Sequence, residues 1–129
     1  MYPSANSHQA RSRYQALELA SRLDGATPHQ LVAILYAELL QSLDVAMAAL
    51  RQDRIDTARR HCDRCQVILI GLGTSLNFDL GGELAPMLAG IYRSMGSELR
   101  QVIGSQDLGK LQNLRSGVAS LAESWGRLV

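Results

Sequence analysis

Apolar side chains recur along most of the chain at alternating intervals of three and four residues, the spacing that lines up one face of an α-helix. Four such stripes follow one another, and no stretch alternates apolar and polar residues as a strand would. They predict helices at 27–51, 54–76, 83–103 and 108–128. The chain is therefore predicted to be all-α. The inward positions are Val32, Tyr36, Leu39, Leu43, Ala46, Leu50; Ile55, Ala58, Cys62, Cys65, Leu69, Leu72, Leu76; Leu84, Leu88, Ile91, Met95, Leu99, Val102; and Leu111, Leu114, Val118, Leu121, Trp125, Leu128.

Capping signals precede three of the stripes. Thr27 is placed as the N-cap of the first helix, with Pro28 at the first helical position and Gln30 completing a capping box. Asp53 and Asp107 are predicted to cap the second and fourth helices. These three helices therefore have a defined start.

Glycines mark both ends of the third helix. Gly81 and Gly82 allow a corner with positive φ before a helix that starts at Glu83, whose first turn tolerates Pro86. Gly104 is predicted to follow the last residue of that helix. Since every corner is only a few residues long, consecutive helices must be antiparallel, and the predicted fold is an up-down four-helix bundle.

A short amphipathic segment precedes the bundle. Its apolar residues are Tyr14, Leu17, Leu19 and Leu23. About ten residues are too few to form a helix alone in water, where ~12–15 are already marginal. Residues 1–24 are therefore predicted to be a helical lid segment, weakly docked on a single domain that comprises residues 1–129.

Composition and charge narrow the classes of function. The chain has 129 residues, 47% of them hydrophobic, which suffices for one domain with a real core. A formal net charge of +1 gives no overall attraction to nucleic acid or to an anionic membrane. The start contains no signal-peptide core, and the longest uncharged stretch, 65–78, is too short to span a bilayer. We expect a cytosolic protein that binds no nucleic acid and does not insert into membranes.

Two features of the second helix resemble chemical sites. Cys62 and Cys65 have the spacing of a metal or redox pair, but they fall on the inward stripe with no second pair, so we interpret them as core residues. His61 stands where a phosphorelay bundle could carry a phosphoryl group, although the lysine and glycine usual after such a histidine are missing. A phosphorelay or other helical signalling module is the alternative function. We predict no catalytic residue, no cofactor and no metal site, and the protein is not expected to be an enzyme.

Two motifs together resemble a known family. They are "GATPHQLVAILYAEL" at 25–39 and "LNFDLGGELAPMLAGIY" at 76–92, followed by the late Trp125. This combination is similar to the flagellin export chaperones of the FliS family, and the resemblance runs over nearly the whole chain.

The resemblance implies a function without catalysis. Members of that family bind the disordered C-terminal segment of newly made flagellin in the cytosol, prevent its premature polymerisation and present it to the flagellar type III export gate. The implied mode is helix-in-groove recognition, with the N-terminal segment covering part of the surface when flagellin is absent. The residues expected to contact the partner are Tyr14, Leu17, Leu31, Ile34, Leu35, Tyr36, Leu39 and Tyr92.

Overall fold

Four helices account for most of the described chain. The structure, a computed structural model, describes Tyr14, residues 25–76 and residues 82–128. Within them the chain forms α1 (Pro28–Arg51), α2 (Ile55–Thr74), α3 (Leu84–Ser105) and α4 (Leu108–Arg127), without strands. The all-α prediction is confirmed, and every bound lies within two residues of its predicted position. Apart from Tyr14, which is helical and exposed, the predicted segment at 1–24 lies outside the described residues.

The helices pack in a ring that follows the order of the chain. α1 packs against α2 and α4, and α3 closes the ring by packing against α2 and α4. Ion pairs bind both neighbours to α1: Arg64 of α2 contacts Glu38 at 3.1 Å, and Arg115 of α4 contacts Asp44 at 2.7 Å. α1 and α3 therefore lie across the diagonal of the bundle.

Local capping signals explain where two of the helices begin. The N–H of Gln30 donates to Thr27 Oγ1 at 3.1 Å, and the N–H of Thr27 donates to Gln30 Oε1 at 3.0 Å, so the capping box is confirmed. Asp107 caps α4 by accepting from the Lys110 N–H at 3.1 Å. These side chains satisfy backbone donors that no helical carbonyl can reach.

The prediction that Asp53 caps α2 is wrong. Asp53 has φ of 59° and lies just after the end of α1, and the N-cap of α2 is Arg54, whose side chain makes no capping bond. The N–H of Asp53 donates to the Leu50 carbonyl and the N–H of Arg54 to the Ala49 carbonyl, at 3.1 and 2.8 Å. This is a Schellman termination, which requires a left-handed residue that aspartate tolerates better than most.

The predicted end of α3 is also wrong by two residues. Gly104 is helical, α3 continues to Ser105, and the left-handed residue is Gln106 with φ of 53°. A reversal at Gln106 places Asp107 directly in its capping position, which leaves a two-residue corner. The Gly82 prediction is confirmed, because that residue has φ of 53°, whereas Gly81 lies outside the described residues.

The predicted inward stripes form the core. Most of their members in the middle of the helices are buried, including Cys62 and Cys65. Burial raises the pKa of the Cys62 thiol to about 11 and raises that of Cys65 as well, so both remain protonated and inert. The two exposed members lie at stripe ends: Leu84 and Leu128 are 43% and 52% exposed.

Among the described helices, α1 alone is long and apolar enough to cross a membrane by length and composition. The core helix of a bundle has the same character. Nine residues of α1 are buried against the other helices, and its acidic side chains Glu38 and Asp44 form ion pairs with α2 and α4. Packing inside the bundle therefore accounts for the apolar composition of α1.

A hydrogen bond crosses the diagonal of the core. The hydroxyl groups of Tyr36 in α1 and Tyr92 in α3 lie 2.7 Å apart, and the two residues are 1% and 5% exposed. Burial raises the pKa of both phenols, so both remain neutral and one donates to the other. Each hydroxyl therefore satisfies the other in an otherwise apolar interior.

We expect Tyr36→Phe and Tyr92→Phe each to reduce the free energy of unfolding by about 1–3 kcal/mol, because each leaves one buried hydroxyl without its partner. The double variant should lose less than the two single losses added together, since neither hydroxyl remains. Denaturant unfolding of the four proteins measures this. Additive losses would show that the hydroxyl groups do not depend on each other.

Candidate functional site

An apolar pocket opens at one end of the bundle. Antiparallel packing brings the N-termini of α1 and α3 to the same end of the bundle as the C-termini of α2 and α4. The pocket between them, called the end pocket here, has a volume of about 300 Å³. It is lined by Pro28, His29, Val32, Ser75, Leu76, Leu84, Ala85, Leu88, Tyr92 and Trp125. A site of this size and composition is suited to apolar side chains of a partner.

Two reciprocal hydrogen bonds hold the rim of the end pocket. The indole N–H of Trp125 donates to the backbone carbonyl of His29 at 2.9 Å, and Nε2 of His29 lies 3.0 Å from the backbone carbonyl of Trp125. Since a carbonyl only accepts, Nε2 carries the hydrogen. The two rings also stack, with centroids 5.0 Å apart and planes at 16°. The C-terminal end of α4 is therefore held against the N-terminal end of α1.

The inner wall of the end pocket is continuous with the core. Tyr36 meets Trp125 edge to face, with ring centroids 6.5 Å apart, and Tyr36 is bonded to Tyr92, which lines the pocket. Nε2 and the backbone carbonyl of His29 and the Tyr92 hydroxyl are already engaged in these bonds. The pocket consequently offers few free polar groups and favours apolar ligands.

Exposed apolar side chains are concentrated towards this end of the molecule. Apart from Tyr14, the large hydrophobic residues exposed in the described part of the chain are Ile34, Ile70, Leu84, Met87 and Leu128. Each lies in the half of its helix that is nearer the end pocket, or just past it. A cluster of exposed apolar residues around an apolar pocket is typical of a protein-binding surface.

Comparison of the sequence with models of protein families finds a match over most of the chain. The family model described as "Flagellar protein FliS" matches residues 10–129 of the chain. The chain belongs to the FliS family.

Curated relatives carry the same family name. The chain is 24% identical to the flagellar secretion chaperone FliS of Vibrio cholerae over 115 residues, covering 89% of this chain and 85% of the relative. It is 26% identical to FliSB of Pseudomonas aeruginosa, covering 91% and 93%. It is also 26% identical to FliS of Salmonella typhimurium, covering 89% and 86%. The protein therefore belongs to a family of flagellar secretion chaperones, not to an enzyme family.

The eight residues expected from the sequence to contact a partner fall into four groups. Tyr14 and Ile34 are exposed, Leu31 is half-buried, and Leu17 lies outside the described residues. The remaining four, Leu35, Tyr36, Leu39 and Tyr92, are buried core residues. Among the seven of them that the structure describes, only Tyr92 lines the end pocket.

Sequence reasoning did not single out most residues of the end pocket as a site. Pro28, Leu84, Leu88 and Trp125 were assigned to caps or to inward stripes. They could have been found by combining the ends of the apolar stripes with the antiparallel order of the helices. In a FliS-type bundle, residues at the N-termini of α1 and α3 and at the C-termini of α2 and α4 must meet at one end.

His61, on which the phosphorelay alternative rests, has one of its two ring nitrogens buried. Nδ1 of His61 is buried and has no hydrogen-bond partner among the described residues, and the side chain as a whole is only half-buried. Burial lowers the pKa of His61, and the charges of Arg60 and Arg64 lower it further. Within the described chain, no three His, Cys, Asp or Glu side chains lie close enough to share a metal ion.

The lowered pKa of His61 predicts a pH effect on stability. Because the pKa of His61 in the folded state lies below its ordinary value of 6.5, the neutral imidazole contributes fully to stability above pH 6.5. This contribution is lost as the pH falls through the pKa of the folded state. Acidification from about pH 8 to about pH 5 should therefore lower the free energy of unfolding more in the parent than in His61→Gln. Denaturant titrations at both pH values measure the difference. Equal losses in the two proteins would contradict the assignment.

Proposed function

We propose that the protein is a cytosolic export chaperone that binds the disordered C-terminal segment of flagellin. In this proposal it prevents premature polymerisation and delivers flagellin to the flagellar type III export gate. Membership of the FliS family supports the proposal, and the observation that carries it is the apolar end pocket, with exposed hydrophobic residues towards the same end of the bundle.

The end pocket suits a helix-in-groove mode of binding. An amphipathic segment would insert apolar side chains between Leu84 and Leu88 of α3 and Trp125 of α4. The free energy gained by burying these groups must exceed the free-energy cost of ordering a disordered segment. On the side of this protein the ordering cost is small, because the reciprocal bonds of His29 and Trp125 already fix the indole at the rim.

The N-terminal segment is proposed to act as a competing lid. The stripe of Tyr14, Leu17 and Leu23 is apolar, and the chain enters α1 at Pro28 and His29, both of which line the end pocket. Because only a few residues join this segment to α1, its effective concentration at the pocket is high. Docking of the segment and binding of flagellin would then exclude each other.

Leu84→Glu tests the end pocket as the flagellin site. Leu84 lines the pocket and is 43% exposed, so the variant should fold, while the charge should weaken binding of a synthetic flagellin C-terminal peptide about tenfold or more, ~1.4 kcal/mol. Calorimetric titration measures the affinity. Fluorescence of Trp125, the single tryptophan of the chain, reports occupancy of the pocket.

The matched control is Ala48→Glu. It adds the same charge at an exposed position near the other end of α1, about 30 Å from Pro28 at ~1.5 Å per residue. This control should bind the peptide as the parent does. If both variants bind normally, the end pocket is not the flagellin site, and if the parent does not bind the peptide, the proposed function is wrong.

Deletion of residues 1–22 should tighten binding of the same peptide. A segment docked in ~99% of molecules weakens apparent affinity about a hundredfold, because only the open fraction binds. The deletion removes that competition and keeps Gly25 and the capping box at Thr27. Calorimetry compares the two chains, with circular dichroism showing that both are folded. Weaker binding by the deletion would mean that the segment contributes to the site and does not cover it.

A further inference from the structure

A second groove runs along the junction of α2 and α3. Two clefts, of about 500 and 410 Å³, lie end to end there and share Gln66 and Arg100 in their walls. Together they extend along α2 from Arg59 to Gly73, about 21 Å at ~1.5 Å per residue. We call this surface the arginine groove. Its length matches about four turns of a partner helix.

The walls of the arginine groove are cationic. Arg59 of α2 and Arg93 and Arg100 of α3 line it, all three are exposed, and Asp63 is the one carboxylate in its lining. None of these three arginines forms an ion pair with a described residue. By contrast, Arg64, Arg115 and Arg127 each pair with a carboxylate. Three cations therefore face one shallow groove with a single anion beside them.

The floor of the groove is largely apolar. Leu69 and Leu99 lie at its base, and Ile70 beside them is 50% exposed. In the middle, Gln66 Nε2 donates to the Gly96 carbonyl at 2.8 Å, which ties α2 to α3 and satisfies the amide nitrogen. A ligand must thus combine apolar surface with negative charge.

We propose that the arginine groove is a docking site for an acidic amphipathic helix of a partner protein, a site separate from the end pocket. Arg93 and Arg100 are seven residues apart on one face of α3, or about 10 Å, so two carboxylates spaced by two turns on the partner would meet them. The partner's apolar stripe would cover Leu69, Ile70 and Leu99. This proposal does not depend on flagellin being the ligand of the end pocket.

The chain's own N-terminal segment has the wrong charge for this groove. Residues 1–24 contain Arg11, Arg13 and Arg22 against Glu18 and Asp24, an excess of positive charge. A nucleic acid is also a poor match, because the one aromatic residue in the lining, Tyr92, is 5% exposed and offers no face for base stacking. Charge complementarity and the apolar floor together favour an acidic helix.

The test uses two designed probes and a reversal of charge. One fluorescein-labelled 18-residue peptide carries a leucine stripe flanked by glutamates seven residues apart, and the second carries lysine in place of each glutamate. The full-length parent should bind the acidic peptide, more weakly as salt is raised, and prefer it over both the lysine peptide and a labelled oligouridine. Arg93→Glu/Arg100→Glu should weaken binding of the acidic peptide at least tenfold and gain affinity for the lysine peptide.

Controls separate this groove from other causes. Arg51→Glu/Arg127→Glu makes the same change in net charge at exposed positions away from the groove and should keep the parental preference. Leu84→Glu, in the end pocket, should also keep it. Fluorescence polarisation gives the affinities, and thermal melting followed by circular dichroism shows that each variant is folded. The proposal is overturned if the parent does not bind the acidic peptide, if it prefers oligouridine, or if both double variants lose binding equally.

Discussion

The hydrogen bond between Tyr36 and Tyr92 is the constraint on which much of the architecture depends. Two hydroxyl groups buried on diagonally opposite helices must satisfy each other, which fixes the height of α3 against α1. Tyr36 also packs edge to face on Trp125, and Trp125 bonds to His29 at the start of α1. A continuous set of contacts thus runs from the centre of the bundle to the rim of the end pocket.

Local chemistry made much of the fold predictable, and tertiary geometry accounts for the rest. Helix periodicity, the Thr27 capping box and the Asp107 cap depend on residues a few positions apart, so sequence alone reveals them. The left-handed residues Asp53 and Gln106 were missed because the corner selects the position that reverses the chain, even where glycine is available two residues earlier, as at Gly104. The stripes also could not show which end of the bundle stays open, since that depends on how four helix ends meet.

The two surfaces differ in chemistry but share a wall. The end pocket is largely apolar, whereas the arginine groove combines an apolar floor with three arginines that form no ion pair with a described residue. Tyr92 lines both, and its hydroxyl is bonded to Tyr36. If both proposals hold, the two surfaces would select partner segments with different sequence requirements.

The one-sided distribution of exposed hydrophobic residues has a consequence for symmetry. Ile34, Ile70, Leu84, Met87 and Leu128 all lie towards a single end of the bundle. Two copies that meet through this surface cover the same patch on both, so the contact is isologous and stops at a dimer. Apolar patches at both ends would instead allow head-to-tail addition without limit. The described bundle has its exposed hydrophobic residues towards one end only, a distribution that favours a closed dimer over a filament if two copies meet there.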